Sequence, residues 1–386
     1  MPERSSMVDW DLAVTAASTV AGSGPAISRP EAEDVVAELR ADAERSTPLV
    51  REYTGLVAEE RSAPLLVVDR TGWIQANVDG FATVISPLVD KLQQRKGPPS
   101  PMVQAVGSRV TGLELGGLLG FLSSKVLGQF DPFYAAPALP PGPSAQPAGT
   151  PDGMGAAGAG TSDGADADLR PPAGRLLLVA PNIVHVERQM SVDPADFRLW
   201  VCLHEETHRV QFTAVPWMRD HIHGEIAKLV SSVEVDPGKL AGLLGEGVRR
   251  ISDLVRGDDD TSLLDLVTSP EQREVVDRIT AVMSLLEGHA DVVMDGVGPE
   301  VIPSVAEIRR KFNHRRKGVS PLDRVLRKLL GLDAKMAQYR NGAVFVRGVV
   351  DQVGMDGLNK VWVEPSALPS KDEIADPESW VRRVHG

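Results

Sequence analysis

A mainly α-helical fold with few short strands is what this sequence predicts, and three observations carry the prediction. Two segments, "DPADFRLWVCLHEETHRVQF" and "SPEQREVVDRITAVMSLLEGHADVVMD", each open on a helix-start signature and continue with helical apolar spacing. A third, "RPEAEDVVAELRADAERS", sets Val35, Val36 and Leu39 on one face with charges opposite. Two short apolar runs, "PLLVVD" and the start of "RLLLVAPNIV", read as strands.

The elements follow in order. Residues 1–135 read as a mostly helical first part of the fold. From Thr71 to about Gln94, Ile74, Val78, Phe81, Ile85, Leu88 and Leu92 recur at helical spacing, with Pro87 placed to kink the helix. A further apolar helix is expected from about Pro101 to Leu127. Residues 136–174 are Pro, Gly, Ala and Ser with almost no large apolar side chain, too little to offset the entropy of ordering, so a disordered insertion is expected there. Residues 175–386 read as the second helical part. In it, Asp193 is the expected N-cap of a helix with Pro194 at its first position and Asp196 in its first turn, ending before Pro216. Ser269, Pro270 and Gln272 spell a capping box, and Val275, Ile279, Val282, Met283 and Leu286 mark an apolar face behind it. More helices are expected between these two, and helices with a turn-rich tail after them.

The bulk properties narrow the function. Of 386 residues, 42% are hydrophobic and 24% charged, the balance of a soluble globular chain. The formal net charge of -12 argues against a general nucleic-acid or acidic-membrane binder. Cys202 is the single cysteine, so no internal disulfide and no multi-cysteine zinc site can form. Any zinc must therefore use His and carboxylate ligands. The N-terminus does not read as a signal peptide, because Asp9 and Asp11 precede a weakly apolar run. The most apolar internal segment, "TGLELGGLLGFLSSKVLG", is interrupted by Glu114 and Lys125 and is short for a membrane span. A cytoplasmic protein is the expectation.

"LHEETHRVQF" carries the chemistry. On a helix His204 and His208 lie one turn apart on one face and can share a metal ion, with Glu205 leaning toward a water on that ion. A catalytic zinc lowers the pKa of such water from 15.7 to about 7, and the glutamate can take its proton and pass it to a leaving amine. A third protein ligand is needed. The continuation H-x-x-G-x-x-H is absent, since Gln211 and Ala214 occupy its places. "EGHAD" offers Glu287 and Asp291 four apart, the E-x-x-x-D spacing of glutamate-type zincins, in which the Glu binds zinc and the Asp hydrogen-bonds a ligand histidine. His289 competes for the ligand role. It lies about 200° around the helix from Glu287, so both cannot face one ion from a regular helix. Glu287 is favoured because Asp291 then gains a role, leaving His289 packed or hydrogen-bonded behind the site.

Three segments in this order, "PNIVHVERQMSVDPADFRLWVCLHEETHRVQF", "LLEGHADVVMD" and "GLDAKMAQYRNGAVFV", resemble the actinobacterial zincin-like metallopeptidase family, some of whose members are labelled as associated with coenzyme F420 biosynthesis. The likeness covers most of the chain apart from the insertion. It implies a mainly α-helical zincin-like hydrolase holding one zinc ion, with His204, Glu205, His208 and Glu287 as site residues. It implies no substrate, and no glycine-rich phosphate loop follows a strand here.

The remaining polar residues divide into candidates and background. Tyr339 is the candidate oxyanion partner, with His314, Arg315 and Arg340 as further electrophilic groups. "RRKFNHRRKG" reads as a solvated basic face that could also bind a substrate carboxylate or an acidic partner. His185, His221 and His223 suit structural or surface roles, Cys202 should be buried away from the metal, and Glu206 should face solvent, pairing with Arg209. The leading expectation is a zinc metallohydrolase acting on peptides, with Glu205 as base, His204, His208 and Glu287 as ligands and Asp291 behind them. A small amide is the other substrate class. The rival reading is a catalytically inactive, metal-stabilised scaffold that binds a partner. The sequence leaves the oligomeric state open.

Overall fold

A computed structural model describes residues 8–57, 63–80, 82, 101–135, 173–232, 269–317 and 332–386. The expected insertion therefore lies outside the described residues, except that Ala173 and Gly174 open a strand. The far end of the Thr71–Gln94 helix also falls outside them.

Three strands form a small sheet. They are β1 (Leu65–Val68), β2 (Gly128–Ala135) and β3 (Ala173–Val179), in the order β1-β3-β2. β1 runs parallel to β3 with Leu65 opposite Leu176, and β2 runs antiparallel with Gly128 opposite Leu178. The run "LLLV", Leu176 to Val179, is apolar throughout because this part of β3 is buried on both faces. Leu177 and Val179 face a helical layer made of α1 (Trp10–Ala21), α3 (residues 70–80) and α4 (Pro101–Ser123), where Trp73, Ile74, Val78 and Leu119 are buried. Leu178 faces the opposite core, among α2 (Arg29–Thr54), α5 (Ala180–Met190) and α6 (Pro194–Ala214). Among the described residues no helix is long and apolar enough to cross a membrane.

The second half is a helical layer behind α6. It contains α7 (Pro216–Ser232), α8 (Pro270–Gly296), α9 (Val305–Lys317) and α10 (Leu332–Leu358), which kinks at Gly354. Two turns, Asn359–Trp362 and Pro365–Ala367, lead to α11 (Lys371–Ala375) and α12 (Pro377–His385). Leu285 and Leu286 of α8 pack with Phe345, Val346 and Val349 of α10, and with Trp362 and Trp380 from the tail.

Capping chemistry explains where the two site helices begin. Asp193 accepts from the Asp196 amide and precedes Pro194 at the start of α6. Ser269 and Gln272 form the reciprocal capping box of α8. Of the apolar face expected on α8, Val275, Val282 and Leu286 are buried, whereas Met283 is 37% exposed. The tertiary partner α10 meets α8 along Ser284 and Gly288, a line that leaves Met283 outside.

Buried polar pairs set the remaining orientations. Arg198 on α6 makes a two-pronged bond to Glu187 on α5, at 2.7 and 3.0 Å, and also bonds Glu38 on α2. Glu206 is 1% exposed, so the expectation that it faces solvent is wrong. α2 covers that face of α6, and the pairing with Arg209, at 2.7 Å, sits inside the core with Arg209 also donating to the Thr47 hydroxyl and the Ala63 carbonyl. Cys202 is fully buried, as expected, and burial raises its thiol pKa.

Asp42 on α2 is the costly member of this region. Burial, followed by the neighbouring Glu38, raises its pKa from 3.8 to about 6. A raised carboxyl pKa means that the folded state holds the proton more tightly than the unfolded chain, so its contribution is fully present below the unfolded value and fades as pH rises through about 6. Asp42→Asn should therefore raise the melting temperature at about pH 8, by the equivalent of about 1 kcal/mol after allowance for residual solvent contact, and change nothing below about pH 4. Thermal melts across that range are the measurement, and an equal effect at both ends would refute the assignment.

Candidate metal centre

His204 and His208 project from one face of α6 because four residues complete little more than one turn. α8 crosses this face and supplies Glu287. The His204 and His208 Nε2 atoms stand 3.2 Å apart. Glu287 Oε2 lies 3.6 Å from the first and Oε1 lies 3.7 Å from the second. Ligand atoms of these three residues all fall within 4.8 Å of one another, and among the described residues this is the only such cluster of three.

The donor set fits zinc. Bonds of about 2.0–2.1 Å at a tetrahedral angle place two ring nitrogens about 3.3 Å apart, close to the spacing here. Two imidazoles and one carboxylate make a borderline-soft set with room for a fourth, non-protein ligand. Each of the three is partly exposed, with side-chain exposures of 20%, 13% and 30%.

Glu205 has a different environment. It is 5% exposed, and burial, followed by the charge of Glu287, pushes its pKa well above the usual carboxylate range. Gly128, the first residue of β2, packs directly on it. A Cβ at that position would stand 2.5 Å from Glu205 Cδ. The loop that places Gly128 is pinned by Asn182, whose amide donates to the Ser123 and Val126 carbonyls while accepting from Arg70. A cavity of about 200 Å³ opens beside His204 and Glu205, walled by Leu127, Trp200, Val201, Met294 and Phe312.

Around the ligands, each outer nitrogen has a neighbour. His208 Nδ1 faces Gln211 Oε1 at 2.9 Å, and His204 Nδ1 lies 3.1 Å from the Met294 sulfur. Asp291 accepts from Arg309 Nη1 at 3.0 Å and shares the cavity wall with His204. His289 points away from the cluster. It is fully buried against Trp362, bonded through Nδ1 to Gln211, and burial lowers its pKa to about 3. The expectation of a packed histidine behind the site agrees with this geometry.

Other candidates are placed apart. Tyr339 and Arg340 fall in the opening turns of α10, in a stretch whose side chains lie outside the described residues. His314 and Arg315 line a separate surface hollow with Arg310 and Lys311. Arg309, counted in the solvated basic run, is instead a half-buried clamp. It pairs with Asp291 and Asp295 and stacks on Trp200. His221 packs edge-on to Trp217, His223 lies near Phe133, and His185 is exposed.

Residues that sequence reasoning passed over are Gln211, Arg309, Gly128 and Gly288. Gln211 was visible only as the residue breaking a longer motif. The run "RRK" hid Arg309, and the two glycines matter through partners distant in sequence.

No curated protein matches the chain. The crystal structure of a candidate hydrolase with a novel fold, from Chloroflexus aurantiacus, is similar at 28% identity and a TM-score of 0.65, covering 98% of this chain and 99% of that one. The family model for zincin-like metallopeptidases matches residues 8–381. On that match, the chain belongs to the zincin-like metallopeptidase family.

Proposed function

We propose that the chain is a zinc-dependent peptidase that holds one zinc ion on His204, His208 and Glu287 and uses Glu205 as its general base. The observation carrying this reading is the convergence of those three ligand atoms within 4.8 Å beside a buried carboxylate that is not one of them. Bound zinc supplies Lewis acidity, acidifying a water and polarising a carbonyl. Glu205 takes the proton on its carboxylate and returns it to the leaving amine. Burial and the Glu287 charge raise its pKa in the metal-free chain, and a cation held beside it would favour the carboxylate form that a base needs. Gly128 and the loop behind it keep the carboxylate from swinging away.

The cavity beside the base offers a substrate both apolar contacts, from Leu127, Trp200 and Phe312, and charged ones, from Lys125 and Asp291. Asp291, expected to bond a ligand histidine, is paired with Arg309 on the cavity wall it shares with His204, while the outer nitrogens of His204 and His208 face Met294 and Gln211. A single buried thiol suits a reducing, cytoplasmic setting.

Metal analysis of the purified protein is the test. The wild type should carry one zinc per chain, and His208→Ala and Glu287→Ala should each lose it under the same dialysis. A wild type without stoichiometric zinc would end this reading.

A further inference from the structure

We infer that Gln211 is a positioning residue that fixes His208 in a single tautomer, with its bare Nε2 turned toward His204 and Glu287, and that the backbone carbonyl of Leu286 is what dictates this. The inference deepens the metal-site reading, but its first half concerns the protein without metal.

The argument starts from an atom with no choice. A peptide carbonyl can only accept a hydrogen bond. The Gln211 side-chain atom 3.0 Å from Leu286 O must therefore be the NH2 nitrogen, since an oxygen there would set acceptor against acceptor. That fixes the amide orientation, which is otherwise ambiguous for a glutamine. The same nitrogen then gives its second hydrogen to His289 Nδ1, also at 3.0 Å. The amide oxygen is left facing His208 Nδ1 at 2.9 Å. Because that oxygen is an acceptor, His208 Nδ1 must carry the proton. The neutral ring then has its lone pair on Nε2, the atom 3.2 Å from His204 Nε2 and 3.7 Å from Glu287 Oε1.

The relay has few ways to relax. Gln211 is fully buried, so water cannot replace any of its three bonds. His289 is fully buried and packs edge-on to Trp362, so its ring is held in place. The amide spans the two helices that carry the ligands. Leu286 precedes Glu287 by one residue, so the carbonyl that orients the glutamine belongs to the same turn of α8 that presents the carboxylate. One buried amide thereby ties the direction of a histidine on α6 to the position of a glutamate on α8. A metal-binding imidazole whose outer N–H is held in this way typically loses about 10–100-fold in metal affinity when the partner is removed.

The experiment uses the full chain stripped of metal with a chelator, and then the same chain titrated with zinc alone against a competing indicator. Long-range proton–nitrogen correlation spectra report which ring nitrogen of His208 is protonated. In the wild type, Nδ1 should carry the proton and Nε2 should be bare. Gln211→Leu should release the ring to the other tautomer and weaken zinc binding by about 10–100-fold. Gln211→Glu retains an acceptor for His208 and, protonated in this buried place, can still donate to Leu286 O, so it should restore the tautomer and most of the affinity lost in the leucine variant. A merely structural role would leave the His208 tautomer unchanged in the folded leucine variant. A bare Nδ1 in the wild type would overturn the inference. So would a folded leucine variant that keeps the wild-type tautomer or binds zinc as tightly. If the leucine variant does not fold, the wild-type spectrum and the glutamate variant decide. A wild type that shows the expected tautomer but takes up no zinc would refute the metal reading and leave the orientation of His208 standing.

Discussion

Glu205→Gln should cut peptide hydrolysis by about 10²–10⁴-fold while leaving the zinc content unchanged, the range expected for loss of a positioned general base. The substitution keeps the shape and removes the basic oxygen. Metal content should persist because Glu205 is not among the three residues whose donor atoms converge. Its carboxylate is packed instead against Gly128, where a Cβ would come within 2.8 Å of Oε1. Stability of the metal-free chain should not fall, since an amide removes a buried acid that burial and Glu287 already disfavour in its charged form. The measurement is kcat/KM on any peptide pool the wild type cleaves, alongside metal content. Full turnover in the glutamine variant would remove Glu205 from the chemistry. Undiminished biological activity alongside lost hydrolysis would favour the scaffold reading.

Legibility in the sequence followed the range of the interaction. Helix starts were readable because a cap is settled within four residues, as at Asp193 with Asp196 and Ser269 with Gln272. The buried strand segment "LLLV" was readable because burial on both faces needs an unbroken apolar run. His204, Glu205 and His208 were readable as a set because one turn of helix fixes their relation. Glu287 could be nominated only through the chemical need for a further ligand, and the crossing of α6 by α8 brings it within 3.6 Å of His204. What escaped depends on which element covers a face. Glu206 looks like a solvated charge until α2 buries it beside Arg209. Arg309 looks like part of a basic run until α8 supplies Asp291 and Asp295. The helix Ala180–Met190 followed a strand without a break, its N-cap Val179 offering no side-chain bond to announce it.

Gly288→Ala should be the most destabilising single-methyl change near the site, at about 3 kcal/mol or more. Glycine in a helix ordinarily costs about 1 kcal/mol relative to alanine, so the substitution would stabilise an open helix. Here α8 and α10 cross backbone to backbone. A Cβ on Gly288 would lie 2.1 Å from the carbonyl carbon of Gly342 and 2.5 Å from the Ala343 nitrogen. The reverse contact is as tight, with a Cβ on Gly342 falling 1.9 Å from Ser284 O. These are main-chain atoms of two helices, so no rotamer change relieves the overlap and the helices must separate. Gly288 follows Glu287 directly, so separation also shifts the carboxylate relative to His204 and His208, and zinc affinity should fall together with stability. Gly117 on α4 is the control, because a Cβ there meets nothing within 4 Å. Gly117→Ala should be neutral or stabilising by up to about 1 kcal/mol. Urea denaturation of the metal-free proteins and zinc competition on the folded ones give the two readouts. If Gly288→Ala matches Gly117→Ala in midpoint, α8 and α10 are not in backbone contact, and the placement of Glu287 by that contact is wrong.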